Sequence, residues 1–233
     1  MEDPTRIPRV LEELRTTWEG QPNISLPTLF GILANRGVAW GTTDEELIAA
    51  LREEALRYPA DLPRDESGRA ATSALVTTTN PDLRVTCTPT EVIVRAASEP
   101  QRQPGVWSYA ALRPTGPGRL LVLTDHEGIE HKLGVVTIIT VLDDEKTRAT
   151  TLDGLERADR DNREWLITTT DGRRHVLGHS LSTWDVHRRH VDTSTKKWTR
   201  VVTCSVGQPL VVATPQGQQQ KLGVVDTVVL LED

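Results

Sequence analysis

No run in this 233-residue chain approaches the roughly 20 consecutive apolar residues that a membrane-spanning helix requires. Met1-Glu2-Asp3-Pro4 is acidic and leads into no apolar run, unlike a secretion signal, so the sequence predicts a cytoplasmic protein with no membrane partner. Cysteine is nearly absent. Cys87 and Cys204 cannot build a four-thiolate zinc site, and they predict free buried thiols. Aromatic residues make up only 4% of the chain, six tryptophans against two tyrosines and one phenylalanine, so each indole is a landmark. Positive charge is short as well. A formal net charge of −6 excludes wrapping of nucleic acid by the whole surface, because phosphate affinity needs clustered Lys and Arg.

What the chain does contain is a repetition. Leu121-Val122-Leu123-Thr124 with Gly128 and Lys132-Leu133-Gly134-Val135-Val136 returns as Leu210-Val211-Val212-Ala213 with Gly217 and Lys221-Leu222-Gly223-Val224-Val225, an offset of 89 (Leu121 to Leu210). Upstream, Leu75-Val76-Thr77-Thr78-Thr79 matches Leu166-Ile167-Thr168-Thr169-Thr170 at 91 (Leu75 to Leu166), and Trp107 falls on Trp198 at the same offset. A two-residue deletion between Trp198 and Leu210 would reconcile the two. A shorter period is carried by Gly128, Gly172 and Gly217, each followed by Leu-Gly, and admits a four-bladed propeller. The longer match covers more of the chain and favours two copies of one larger unit.

Ahead of the repeat, Ile7, Val10, Leu11, Leu14 and Trp18 recur at helical spacing. Ser25 and Pro27 open a second helix carrying Leu29, Phe30, Ile32 and Leu33, and Thr43-Asp44-Glu45-Glu46 is a capping box for a third. Residues 1–60 hold ten acids and six bases, a poor balance for a major-groove reader. Through Arg6-Ile7-Pro8-Arg9-Val10-Leu11, Trp18, the Leu-rich second helix and Asp44-Glu45-Glu46-Leu47-Ile48, residues 6–51 resemble small uncharacterised bacterial helical domains. That resemblance implies a fold and no activity.

The organisation expected is α+β: a helical domain over 1–60, an exposed linker over 61–71, a first β repeat over 72–145, a charged connector over 146–162 with a short helix at Leu152 to Ala158, and a second β repeat over 163–233. Runs at 75–79, 83–87, 91–96, 106–112, 120–124 and 132–142 predict six strands per copy, the density of a small barrel or sandwich.

Three candidate chemistries follow. His175 and His179 would share a face of one strand and could jointly hold a metal with Asp185 or Asp192, the basis of a metal-dependent enzyme, but no fourth ligand of suitable spacing accompanies them, and no metal or other cofactor is expected. Gly178-His179-Ser180-Leu181-Ser182 is not a nucleophile elbow, and Gly116-Pro117-Gly118 is not a phosphate loop. Residues 163–200 carry eight bases against four acids; Arg173, Arg174, Arg188, Arg189, Lys196 and Lys197 with Trp165 as an exposed stacker form a candidate basic face. Because the rest of the chain is acidic, that face predicts protein contact or self-association before nucleic acid. The reading is a non-catalytic binding or assembly module, with a nucleic-acid-associated regulator as the alternative use of the basic face.

Overall fold

A computed structural model describes residues 4–147, 151–186 and 191–233. The chain forms two compact units. The first runs to Val141 apart from Glu99–Pro104; the second holds that segment and Leu142–Asp233.

The first unit opens with three helices, α1 (Arg6–Glu19), α2 (Leu26–Asn35) and α3 (Asp44–Arg57). Ser25 caps α2 by accepting from the Thr28 N–H, and α3 carries the full capping box, with Thr43 Oγ1 accepting from the Glu46 N–H at 3.3 Å and Glu46 accepting from the Thr43 N–H at 2.8 Å. Leu29, Leu33 and Leu51 form the helical core. Only part of the apolar stripe expected on α1 is used: Leu14 packs against this core and Val10 is half-buried. Ile7 is 53% exposed and Leu11 57% exposed, while the residue α1 buries is Thr17, whose hydroxyl donates to the carbonyls of Glu13 and Leu51. Ion pairs join α1 to α3 instead: Arg6 to Asp44, Arg9 to Glu45 and Arg52 to Glu13. The buried Glu54 takes Arg36 and Gln21. Much of the acidity of this region is therefore matched locally.

The rest of the first unit is one antiparallel sheet of β1 (Ala74–Thr79), β2 (Leu83–Cys87), β3 (Glu91–Ala96), β4 (Gly105–Ser108), β5 (Ala111–Leu112), β6 (Leu120–Thr124) and β7 (Glu130–Val141), in the order β4-β3-β2-β1-β7-β6-β5. The second unit contains a short helix α4 (Asp144–Thr147), a 3-10 turn (Arg157–Arg160) and β8 (Glu164–Thr169), β9 (Arg174–Leu177), β10 (Leu181–Val186), β11 (Val191–Lys196), β12 (Arg200–Thr203), β13 (Pro209–Ala213) and β14 (Gln219–Glu232), in the matching order β11-β10-β9-β8-β14-β13-β12. Two seven-stranded sheets replace both the six-strand count and the four-blade alternative. The expected strand over 106–112 splits at Tyr109-Ala110, and that break shapes the unit. β4 and β5 occupy opposite edges of the sheet, about 29 Å apart were it flat, yet three peptide steps from Ser108 to Ala111 span at most about 11 Å. The sheet must curl until its edges approach, a tandem duplication of small half-barrels.

Register fixes which residues correspond, and it corrects the alignment. Thr78 pairs with Val136 and Thr169 with Val225, so β1 and β8 differ by 91. Val76 pairs with Val85 where Ile167 pairs with His175, an offset of 90 in β2 and β9. Val85 pairs with Val94 where His175 pairs with Thr183, an offset of 89 from β3 onward. One residue is thus lost in each of the two hairpin turns of the second copy, and none between Trp198 and Leu210. The counterpart of Trp198 is Tyr109, not Trp107. Both are fully buried just ahead of β12 and β5, and they donate to equivalent main-chain carbonyls: Trp198 Nε1 to Gly178 O at 2.9 Å, the Tyr109 hydroxyl to Thr88 O at 2.6 Å. Trp107 lies within β4 and is only partly buried.

The repeating unit also starts earlier than expected. Leu62 N–H donates to Thr115 O and Leu152 N–H to Cys204 O, equivalent positions in the two copies, and Leu62 and Leu152 are buried. Within residues 61–71 the stretch 63–67 is exposed, while Leu62 and Ala70 belong to the first core. Residues 151–156 are the matching segment, held by the bridges Glu156↔Arg200, at the start of β12, and Thr151↔Ser205, beyond its end, and the helix expected at Leu152 to Ala158 is reduced to the turn at Arg157–Arg160.

Candidate functional site: a polar slot in the second unit

The first core is apolar throughout one face of β2, β3 and β4. Cross-strand rows there read Cys87, Val92, Trp107 and Val85, Val94, Gly105, with Leu83 and Ala96 beyond them. The same rows in β9, β10 and β11 read Leu177, Leu181, Lys196 and His175, Thr183, Ser194, with Arg173 and Asp185 beyond them. A branched apolar floor has become a hydrogen-bonding one. Between this face and Lys221-Leu222 at the start of β14 lies a cavity of about 270 Å³.

His175 is the centre of the site. It is fully buried, at the place of Val85, because an inward position of a central strand is shielded by its neighbours on both sides. Its Nδ1 lies 2.9 Å from the Thr183 hydroxyl, its cross-strand partner, and its Nε2 is buried with no partner. Burial pushes its pKa down from 6.5 to about 4, with Asp171 and Asp185 opposing that shift and Arg173 adding to it. The imidazole is neutral at pH 7. It is a hydrogen-bonding group lining a hollow. Around it, Arg173 bridges Asp171 at 3.6 Å and Asp185 at 3.3 Å, Lys196 donates to Gln220 at 3.2 Å, and Asp192, Ser194 and Lys221 stand exposed at the rim.

The other expected site residues are placed apart from it. β9 ends at Leu177, so the shared face proposed for His175 and His179 does not form. His179 is exposed in the following turn, where Arg157 donates to its carbonyl at 3.1 Å. Among the described residues no three His, Cys, Asp or Glu side chains converge as a metal site would require. Trp165 is buried at the position of Ala74 rather than exposed as a stacker, and the guanidinium of Arg163 lies 5.5 Å over its ring. Arg174 donates to Pro104 O at 2.7 Å and Arg200 pairs with Glu156 at 3.4 Å; Lys197 is exposed. Arg188 and Arg189 lie outside the described residues, as do His187 and His190. Of the candidate basic face, Arg173 and Lys196 border the cavity.

Thr183, Ser194, Lys221 and Leu222 were missed as site residues. The signal was available in the repeat itself: with the β3–β4 segment aligned at 89, Thr183 corresponds to Val94, Ser194 to Gly105 and Lys196 to Trp107, a run of polar residues where the other copy is apolar. No family model, curated protein or solved structure matches this chain.

Proposed function

We propose that the protein is a non-catalytic binding module, in which the second β unit holds a ligand or partner at the slot bordered by Arg173, His175, Thr183, Lys196 and Lys221. One observation carries this reading: the interior that the first copy fills with apolar side chains is polar and hollow in the second. The groups that line it suit holding better than reacting. His175 lies against the Thr183 hydroxyl, but burial makes its imidazole a weak base and no carboxylate orients the ring, whose Nε2 is unpartnered; Asp185 is bonded to Arg173, and no metal cluster converges among the described residues.

The nucleic-acid reading is weaker on specific grounds. Arg163, Arg173, Arg174 and Arg200 are each committed to nearby carbonyls or carboxylates, and the expected stacking tryptophan is interior. Retention from an extract of the source cells tests the proposal, comparing the intact chain with Lys196→Glu/Lys221→Glu and with Lys132→Glu, which alters the equivalent exposed lysine of the first unit. Whatever is retained should be lost with the double variant and kept with the single one. Equal retention by all three would refute the assignment, and submicromolar binding of a fluorescent duplex at physiological salt would replace it with the nucleic-acid reading.

A further inference from the structure

The slot has a filled counterpart, and the comparison points to what fits it. In the first unit Trp107 folds back along its strand: Cζ3 of its indole lies 3.1 Å from where a Cβ on Gly105 would stand, and the ring centroid is 5.7 Å from that of His131. The missing side chain at Gly105 is what lets the indole lie over the outer end of the row Val85, Val94, Gly105 and pack on the core. In the second unit Lys196, Ser194 and Gln220 stand at the positions of Trp107, Gly105 and His131. Lys196, a slender side chain that borders the cavity, donates to Gln220 at 3.2 Å. The place that an indole occupies in one copy is thus part of the hollow in the other. Leu181 and Leu222 border it where the first unit has Val92 and Leu133, so apolar walls suited to ring faces persist.

We infer that this slot takes a planar aromatic ring with a hydrogen-bonding N–H or O–H on its edge, supplied by the ligand in the place that Trp107 fills in the first unit. The inference rests on the binding-module reading above and adds the chemical class. A plain hydrocarbon ring would match the walls and leave the buried His175 Nε2 without a hydrogen-bond partner, the arrangement buried polar groups avoid. A simple anion or cation matches the charge poorly, because Arg173, Lys196 and Lys221 are interleaved with Asp185 and Asp192. A ring with a polar edge satisfies both walls and floor, and it gives the buried His175 Nε2 a partner.

The experiment is a ligand-observed NMR titration of the full chain with indole, phenol and toluene, alongside the variant Lys196→Trp/Ser194→Gly, which rebuilds the first unit's arrangement in the second. Indole and phenol are expected to bind with a Kd on the order of 1 mM, typical of the best fragments of this size, and toluene about ten-fold more weakly. The double variant should lose indole binding by about ten-fold or more, and its added indole should emit as a buried ring and resist acrylamide quenching. Indole binding no tighter than toluene, or an added indole quenched as freely as free tryptophan, overturns the inference. Should the double variant fail to fold, the wild-type titration still decides. If the rings fail to bind while retention from extract stays sensitive to Lys196 and Lys221, the ring assignment falls and the binding module stands; if indole binds and retention is insensitive to those lysines, the reverse holds.

Discussion

Replacing His175 with valine, the residue at the same position of the first copy, should remove an acid-sensitive element from the second unit. In the folded chain the imidazole is fully buried and its pKa is pushed from 6.5 down to about 4, while in the unfolded chain it returns to the ordinary value. Between those two values the unfolded state binds the extra proton, so stability falls as pH falls through that window and is unaffected by this group above about pH 7. The linkage relation gives a loss of about 2 kcal/mol at pH 5 and about 3 kcal/mol at pH 4 relative to pH 7.5. Carboxylates held below their usual range, such as Asp65 and Asp125, destabilise in the same direction as they protonate, but they are shared by wild type and variant and cancel in the difference. The assay is urea unfolding followed by tryptophan fluorescence at pH 7.5, 6, 5 and 4. His175→Val should leave stability at pH 7.5 within about 1 kcal/mol, since the lost Thr183 contact is offset by removal of an unpartnered buried nitrogen, and should flatten the fall between pH 6.5 and 4 by about 2 to 3 kcal/mol. Parallel pH profiles for the two proteins would refute the burial of a neutral imidazole at this position.

Three further outcomes are expected. Trp198→Ala and Tyr109→Ala should each cost about 3 to 5 kcal/mol, and Trp107→Ala clearly less, about 2 kcal/mol; equal costs for the two tryptophans in urea titrations would contradict the register. Gly134→Ala should cost roughly 1 to 3 kcal/mol, because Gly134 has φ +94° and a Cβ there would stand 2.8 Å from Thr79 O; a wild-type unfolding midpoint would exclude that strain. Cys87 and Cys204, buried and with thiol pKa values pushed up to about 12, should react with a thiol reagent only on unfolding, and fast labelling of the native protein at pH 8 would show otherwise.

Much of the architecture was legible because it depends on short-range signals. Thr43 and Glu46 cap α3 through atoms three residues apart, and the β runs alternate with turn glycines such as Gly128 and Gly217. The α1 stripe was legible only in part for a physical reason: helical periodicity identifies a face that could be buried, while its burial depends on what packs there, and beside Leu14 on the helical core α3 meets α1 through Thr17 and ion pairs, leaving Ile7 and Leu11 exposed. The site was obscured by a one-residue error repeated twice. Shortening the two hairpin turns by one residue each shifts the offset from 91 to 89, so matching tryptophan to tryptophan paired Trp198 with the wrong partner and hid the correspondence of Lys196 with Trp107. In β10 and β11 the accumulated slip is two residues, which keeps inner and outer faces in place but moves each cross-strand row one pair along the sheet, so it conceals a site while leaving the fold readable.

The distribution of differences between the two copies is what separates a site from drift. Over most of the core the equivalents remain apolar and buried: Val76 and Ile167, Leu112 and Val201, Leu121 and Leu210, Leu123 and Val212, Val136 and Val225 are each at most 3% exposed. Had polar residues accumulated without consequence, they would be scattered over these pairs as freely as elsewhere. They are instead concentrated on one face of β9, β10 and β11, where His175, Thr183, Ser194 and Lys196 replace Val85, Val94, Gly105 and Trp107 in adjacent cross-strand rows. The replacements of Val85, Val94 and Trp107 forgo apolar burial of about 25 cal/mol per Å², and an indole alone presents roughly 150–250 Å². The second unit therefore gives up several kcal/mol of core packing at one place, keeps the rest of the scaffold that tolerates the loss, and leaves a hollow with a polar floor there. Stability is surrendered in that local and coordinated way where a surface is used, and it is the strongest reason to look for the ligand at His175 rather than along the basic stretch as a whole.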